Sequence, residues 1–175
     1  VKPVSNEELR DALQLLNTLV ERWFSHIIDK FATVIKWGII SPFSYIYKQR
    51  NRWIQWLYLF GSSHTGKTTL GEIVLSIWGI GASNIKSGAS IDTVPRFGYL
   101  LSQTTFPFLV NEPGSAIVKE DVVEVMKSAI ESTIVRGKYI RGAYTEIPSI
   151  APLILTSNKT LPNDDALLRR LIVLT

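Results

Sequence analysis

The chain contains no cysteine, which excludes disulfide frameworks, cysteine zinc sites, thiol nucleophiles and iron–sulfur ligation together. Histidine is scarce too. His26 and His64 are the only two, and they cannot build a histidine metal site without several carboxylates. The longest apolar runs, such as Trp56 to Phe60 and Ala166 to Leu168, fall far short of the roughly 18 residues that a membrane span requires. No secretory leader opens the sequence, and neither internal repeats nor low-complexity stretches occur. These absences predict a soluble protein of the cytoplasm, or of a host cell's cytoplasm, with no membrane partner.

What is present favours one folded domain. Hydrophobic residues make up 46% of 175 residues and charged residues 19%, enough apolar surface to bury a core and too little charge for general disorder. Nineteen Lys and Arg against fifteen Asp and Glu leave a net charge of +4. That balance permits nucleic acid as a partner without demanding it.

Helical periodicity dominates residues 1–52. Ser5-Asn-Glu-Glu8 is a capping-box pattern, and Leu9, Leu13, Leu16, Val20, Trp23 and Phe24 follow at helical spacing. A second helical stretch runs through Ile27, Phe31 and Val34 to the break at Gly38 and Ser41-Pro42, with a short helix over 43–48. From Trp53 onward, strands and helices alternate: strands at 56–60, 84–87, 106–110, 152–156 and 171–174, helices over the segment beginning near Leu70 and over 91–102 and 119–132, and a hairpin over 135–147. Such alternation predicts an α/β fold with a parallel sheet flanked by helices, preceded by a helical segment and carrying an inserted β-hairpin. Opening on Val1 and ending inside an apolar run, the sequence reads as a piece of a longer polypeptide.

Three strand ends carry chemistry. Gly61-Ser62-Ser63-His64-Thr65-Gly66-Lys67-Thr68 fits G-x-x-x-x-G-K-[ST] between a predicted strand and a predicted helix, the context in which that motif cradles phosphates. Its glycines let successive backbone N–H groups turn inward at a helix N-terminus. Lys67 can then reach the β and γ phosphates, Thr68 can offer its hydroxyl to Mg²⁺, and Thr69 continues the loop into the helix. The strand at 106–110 ends in Asn111-Glu112, where a nucleotide hydrolase normally carries Asp-Glu. Asn111 supplies a neutral oxygen to the metal side, and Glu112 is either the carboxylate that polarises the attacking water or the metal-side carboxylate. Pro152-Leu-Ile-Leu-Thr-Ser-Asn158 ends a third apolar run on an amide that can orient water or touch the γ-phosphate. All three ends should meet at the carboxyl edge of one sheet.

Together with Ala166-Leu-Leu-Arg-Arg-Leu171, these motifs resemble the AAA+ ATPases of the superfamily 3 and minichromosome-maintenance-like helicases. These are replicative motors of plasmids and viruses, often fused to a primase-polymerase, archaeal elements included. The resemblance covers about residues 50–175. It implies strands in the order 5-1-4-3-2, a homo-hexameric ring with ATP and Mg²⁺ between neighbours, an ATPase core over 53–175 and a collar or linker over 1–52. It further implies Lys67 and Thr68 as Walker A, Asn111 and Glu112 as Walker B, Asn158 as sensor 1 and Arg170 as an arginine finger acting on the next subunit. The pattern lacks the usual acid at Asn111, as well as the helical lid with its sensor 2 arginine. A slow ATPase is the expectation for these residues alone.

Between the helix at 119–132 and the strand at 152 lie Arg136, Lys138, Tyr139, Arg141 and Tyr144, cations and aromatics of the kind that bind single strands. In the helicases just named, a hairpin in this slot projects into the ring pore, so single-stranded DNA, or RNA less favourably, is the implied partner. Two other readings stand beside the motor: a P-loop nucleotide switch or assembly module with little turnover, and a small-molecule kinase.

Overall fold

The structure is a computed structural model and describes residues 3–140 and 143–175. Helix α1 (Asn6–Leu19) starts at a capping box in which the Ser5 side chain accepts from the Glu8 N–H and the Glu8 carboxylate accepts from the Ser5 N–H. The helical path then tightens and loosens through a π turn at Val20–Phe24 and a 3₁₀ turn at Ser25–Ile27 before α2 (Ile28–Ile40) and α3 (Ser44–Lys48). Among the described residues no helix is long and apolar enough to cross a membrane.

Five parallel strands form the central sheet: β1 (Trp56–Phe60), β2 (Ile85–Ser87), β3 (Phe108–Asn111), β6 (Leu153–Ser157) and β7 (Leu171–Leu174). Their spatial order is β2-β3-β6-β1-β7, which in order of appearance is the 5-1-4-3-2 arrangement implied by the resemblance. Helices α4 (Lys67–Ile77), α5 (Val94–Leu101), α6 (Glu120–Glu131) and the short α7 (Asp165–Leu168) make the connections. A separate antiparallel pair, β4 (Ile134–Ile140) and β5 (Ala143–Pro148), is the hairpin inserted between α6 and β6.

Apolar residues point to both faces, as a sheet covered on both sides demands. Trp56, Tyr58, Val110, Leu153 and Leu155 pack with Phe97, Leu101, Met126 and Ile130 of α5 and α6. The alternate residues Leu57, Leu59, Leu109 and Ile154 pack with Phe31, Val34 and Trp37 of α2 and Leu70 and Val74 of α4. The N-terminal helices thus share a core with the sheet.

Three boundaries differ from the sequence-based expectation. Helix α5 starts at Val94 because Gly88–Ser90 forms a 3₁₀ turn and Ile91 is buried below it. Strand β3 starts at Phe108, since Pro107 has no N–H to give a ladder; its carbonyl accepts instead from Asn84 Nδ2 at 3.0 Å. Helix α7, absent from the expectation, is one turn held by Asp164, whose side chain accepts from the Leu167 N–H.

Among the described residues one charged group is buried. The Lys48 ammonium, at the end of α3, donates to Ala129 O (2.5 Å), Ser149 O (2.9 Å) and Ser149 Oγ (3.0 Å). It thereby ties the helical layer to the last turn of α6 and to the segment leaving the hairpin. Burial pulls its pKa down to about 7.

Candidate functional site: a phosphate loop at the carboxyl rim of the sheet

Strand β1 runs out at Phe60 and the chain turns through Gly61–Gly66 into α4, so the loop sits at the N-terminus of an 11-residue helix. Gly66 has φ +82°, a left-handed conformation that glycine adopts without penalty. His64, exposed, is also left-handed at φ 63°. The buried Phe24 ring of the π turn lies 3.7 Å from where a Cβ on Gly66 would stand. The helical layer therefore packs directly on the loop. Lys67 points back into the loop, its ammonium donating to Gly61 O (2.9 Å) and Ser62 O (2.7 Å), with Thr65 Oγ1 at 3.4 Å. Ser62 and Ser63 are exposed on the loop crest, and Thr69 lies in the first turn of α4.

The neighbouring strand ends complete the rim. Phe60 is in register with Ser157, and Asn111 with Thr156. Asn111 Oδ1 accepts two hydroxyls, from Thr68 Oγ1 at 3.0 Å and Thr156 Oγ1 at 2.6 Å. This network joins the helix after the loop, the end of β3 and the end of β6. Glu112 is exposed in a left-handed conformation (φ 47°), its N–H donating to Thr156 O. A Cβ on Gly88 would come within 2.5 Å of the Glu112 carbonyl, so this turn and the Gly88 backbone fit only without a side chain. Burial raises the pKa of Tyr58 on β1, with β6 lying between it and β3, and the Glu112 charge adds to that rise. Asn158 follows β6 as an exposed residue of the same rim.

Arg170 is elsewhere. It immediately precedes β7, and its carbonyl accepts from the N–H of Trp56 at the start of β1, so it stands a strand's length, about 15 Å, from the phosphate loop. Its guanidinium is half-buried with Nε 2.8 Å from Glu131 Oε1, a close ion pair without hydrogen-bond alignment, while Nη1 donates to Ala166 O at 2.6 Å. Among the hairpin residues, Arg136 is at the base, with Nε buried beside Gly98 of α5 and no hydrogen-bond partner among the described residues. Lys138 and Tyr139 pair in the ladder with Thr145 and Tyr144. The Tyr144 ring lies across Gly137. Arg141 lies outside the described residues.

Two features escaped sequence reading. Thr156 was visible only as part of an apolar strand ending in polar residues, and its hydroxyl role needs the β3–β6 register. The other is a cavity of about 330 Å³ beside the loop, lined by His26, Ile27 and Lys30 of the helical layer together with Phe60, Lys67 and Leu174. Its walls are mainly apolar and it adjoins the Gly61–Thr68 loop. No sequence signal links position 26 to position 61.

Among the described residues no group of three or more His, Asp or Glu side chains could hold a metal ion. A Mg²⁺ carried chiefly by nucleotide phosphates and water would need only one or two protein oxygens. Thr68 meets that need: its hydrogen is given to Asn111, which leaves the oxygen lone pairs free.

No protein-family model matches the chain, and no curated protein matches it. Solved structures do. The apo A form of the NrS-1 C-terminal region aligns at 19% identity over 92% of this chain and 37% of that one, with a TM-score of 0.54. A second apo structure of that region aligns at 18% identity over 91% and 36%, with a TM-score of 0.51. The Thermotoga maritima RuvB Holliday junction branch migration motor aligns at 21% identity over 82% and 44%, with a TM-score of 0.48. At these identities the likeness is one of fold. The chain spans less than half the length of each.

Proposed function

We propose that this chain is the nucleotide-binding core of an ATP-hydrolysing ring motor, of the superfamily 3 helicase type, that moves on nucleic acid during plasmid or viral replication. The observation that carries the reading is the junction of Gly61–Thr68 with the Asn111–Thr156 strand ends on one rim of a β2-β3-β6-β1-β7 sheet. A triphosphate seated there draws Lys67 off the Gly61 and Ser62 carbonyls and onto its β and γ oxygens, while the loop N–H groups and the α4 terminus take the remaining charge. Thr68 is the residue that would hold Mg²⁺, which when bound neutralises charge on the phosphates. Glu112, exposed on the rim, polarises the attacking water, and Asn158 orients it. Residues 53–175 form the motor and 1–52 a collar that also closes the nucleoside cavity.

Arg170 cannot reach the loop of its own chain, so it acts on the nucleotide of a neighbour in a closed ring, a homo-hexamer by analogy. The hairpin, through Lys138, Tyr139 and Arg141, holds single-stranded DNA, favoured over RNA. One observation favours a second reading, a nucleotide switch with little turnover: Asn111 stands where hydrolases carry an acid. Single-stranded DNA added to the full-length protein should stimulate ATP hydrolysis, and Lys67→Ala should abolish it. Hydrolysis at the parent rate in Lys67→Ala contradicts the motor; tight ATP binding with no turnover under any nucleic acid favours the switch.

A further inference from the structure

We infer that Asn111 serves the bound triphosphate as a hydrogen-bond donor through Nδ2, and that Thr156 is the positioning residue that fixes it in this role. The inference rests on Gly61–Thr68 as a triphosphate cradle. An amide oxygen has two lone pairs and an amide nitrogen two hydrogens. Here Oδ1 takes both the Thr68 and the Thr156 hydroxyls. The 2.6 Å separation from Thr156 is an O–H···O length rather than an N–H···O one, which sets the amide's orientation. With its acceptor capacity used, Asn111 has nothing left for a metal ion or a metal-bound water. What it has left to offer is N–H, which pairs with phosphate oxygen or the oxygen of water and opposes a cation's hydration shell.

An aspartate in this place would receive the same two hydroxyls, keep further lone pairs and add a negative charge. The residue present reverses that preference. The donor suits the phosphates of a metal-free nucleotide as well as those of its magnesium complex. Triphosphate binding therefore depends only weakly on magnesium, in contrast with a site that carries an acid here. Thr156, buried at the end of β6, matters because losing its hydroxyl frees one lone pair of Oδ1 and lets the amide turn its oxygen outward.

Calorimetric titration of ATP into the full-length protein, once with MgCl₂ and once with EDTA, measures this directly. The ratio of the two dissociation constants is expected to lie within about threefold for the parent. Asn111→Asp should raise it by about tenfold or more, mainly by weakening metal-free binding through added charge beside the phosphates. Thr156→Val should raise the ratio by a smaller factor, and Thr156→Ser, which keeps the hydroxyl, should restore the parent value. A merely structural threonine would shift both affinities together and leave the ratio alone. A parent ratio of tenfold or more, or one unmoved by Asn111→Asp, overturns the inference while leaving the cradle intact. Absence of ATP binding under both conditions overturns the cradle reading itself.

Discussion

The two rims of the sheet are built from different materials. At the carboxyl rim, β1, β3 and β6 end in hydroxyls, an amide and a carboxylate, and the left-handed residues His64, Gly66, Glu112 and Gly114 cluster in the loops that leave them. At the amino rim, the Trp78 ring packs between Phe43 and Phe106, at 6.4 and 5.7 Å between ring centroids. There Arg170 pairs with Glu131, and Lys48 caps carbonyls of α6 and the hairpin exit. The first rim gathers left-handed backbone and polar side chains at the ends of its strands. The second ties charged side chains to groups of its own chain and presents aromatic surface. In the motor proposed above, ligand chemistry belongs to one rim and any contribution from the other reaches a different molecule.

Arg170 offers the sharpest way to break that division. If it serves only a neighbour, Arg170→Ala should lower turnover by about 10³ while leaving ATP affinity within a few-fold, and mixing Arg170→Ala with Lys67→Ala protomers should restore part of the activity at mixed interfaces. The Glu131 pair, half-exposed, contributes little to folding, so the melting temperature of the variant should stay close to the parent's. A large loss of stability, with no recovery in verified mixed rings, would make Arg170 a structural residue of the amino rim.

Gly88 tests the carboxyl rim. A Cβ there meets the Glu112 carbonyl at 2.5 Å and Pro113 Cα at 2.8 Å, backbone atoms that cannot swing aside. Gly88→Ala should cost about 1–3 kcal/mol, lowering Tm on the order of 5 °C, and should weaken turnover further by displacing Glu112. Gly81, where a Cβ meets nothing within 4 Å, is the control, and Gly81→Ala should melt with the parent. Equal melting of the two variants would show that the Glu112 turn is not tightly held.

Lys48 tests the amino rim through its pH dependence. Because burial lowers its pKa to about 7 while the unfolded chain keeps the ordinary lysine value, the unfolded state binds the extra proton between about pH 7 and pH 10. Stability should therefore rise with pH through that window, by up to about 1.4 kcal/mol per pH unit, and the full burden of the buried charge falls below pH 7. Denaturant unfolding from pH 6 to pH 10 checks this, with Lys48→Met expected to lose the rise. A slope shared by both proteins would assign it to other groups.

Legibility in the sequence follows the range of the interactions. The loop Gly61–Thr68, strands β1 and β7 and the capping box were readable because each is written in contiguous residues. The strand order came with the resemblance rather than from the pattern itself. The Thr68–Asn111–Thr156 network was not readable, since its members are 43 and 45 positions apart and meet only through strand register. Lys48 reads as an ordinary helix-terminal lysine until α6 and the hairpin exit close over it. The apolarity of Ile91 extends the helical pattern ahead of Val94, where α5 starts, yet a 3₁₀ turn carries this residue into the core.

In the proposed motor, Gly61–Thr68 seats the phosphates of a nucleoside triphosphate, with the base toward the cavity beside His26 and Lys30. Competitive titration of ATP, ADP and AMP against the full-length protein and its Lys67→Ala variant tests it most directly. The parent should bind ATP and ADP at least tenfold more tightly than AMP, and that preference should collapse in Lys67→Ala while AMP affinity stays nearly unchanged. Equal affinity of the parent for all three nucleotides, or an ATP preference that survives in Lys67→Ala, would contradict it.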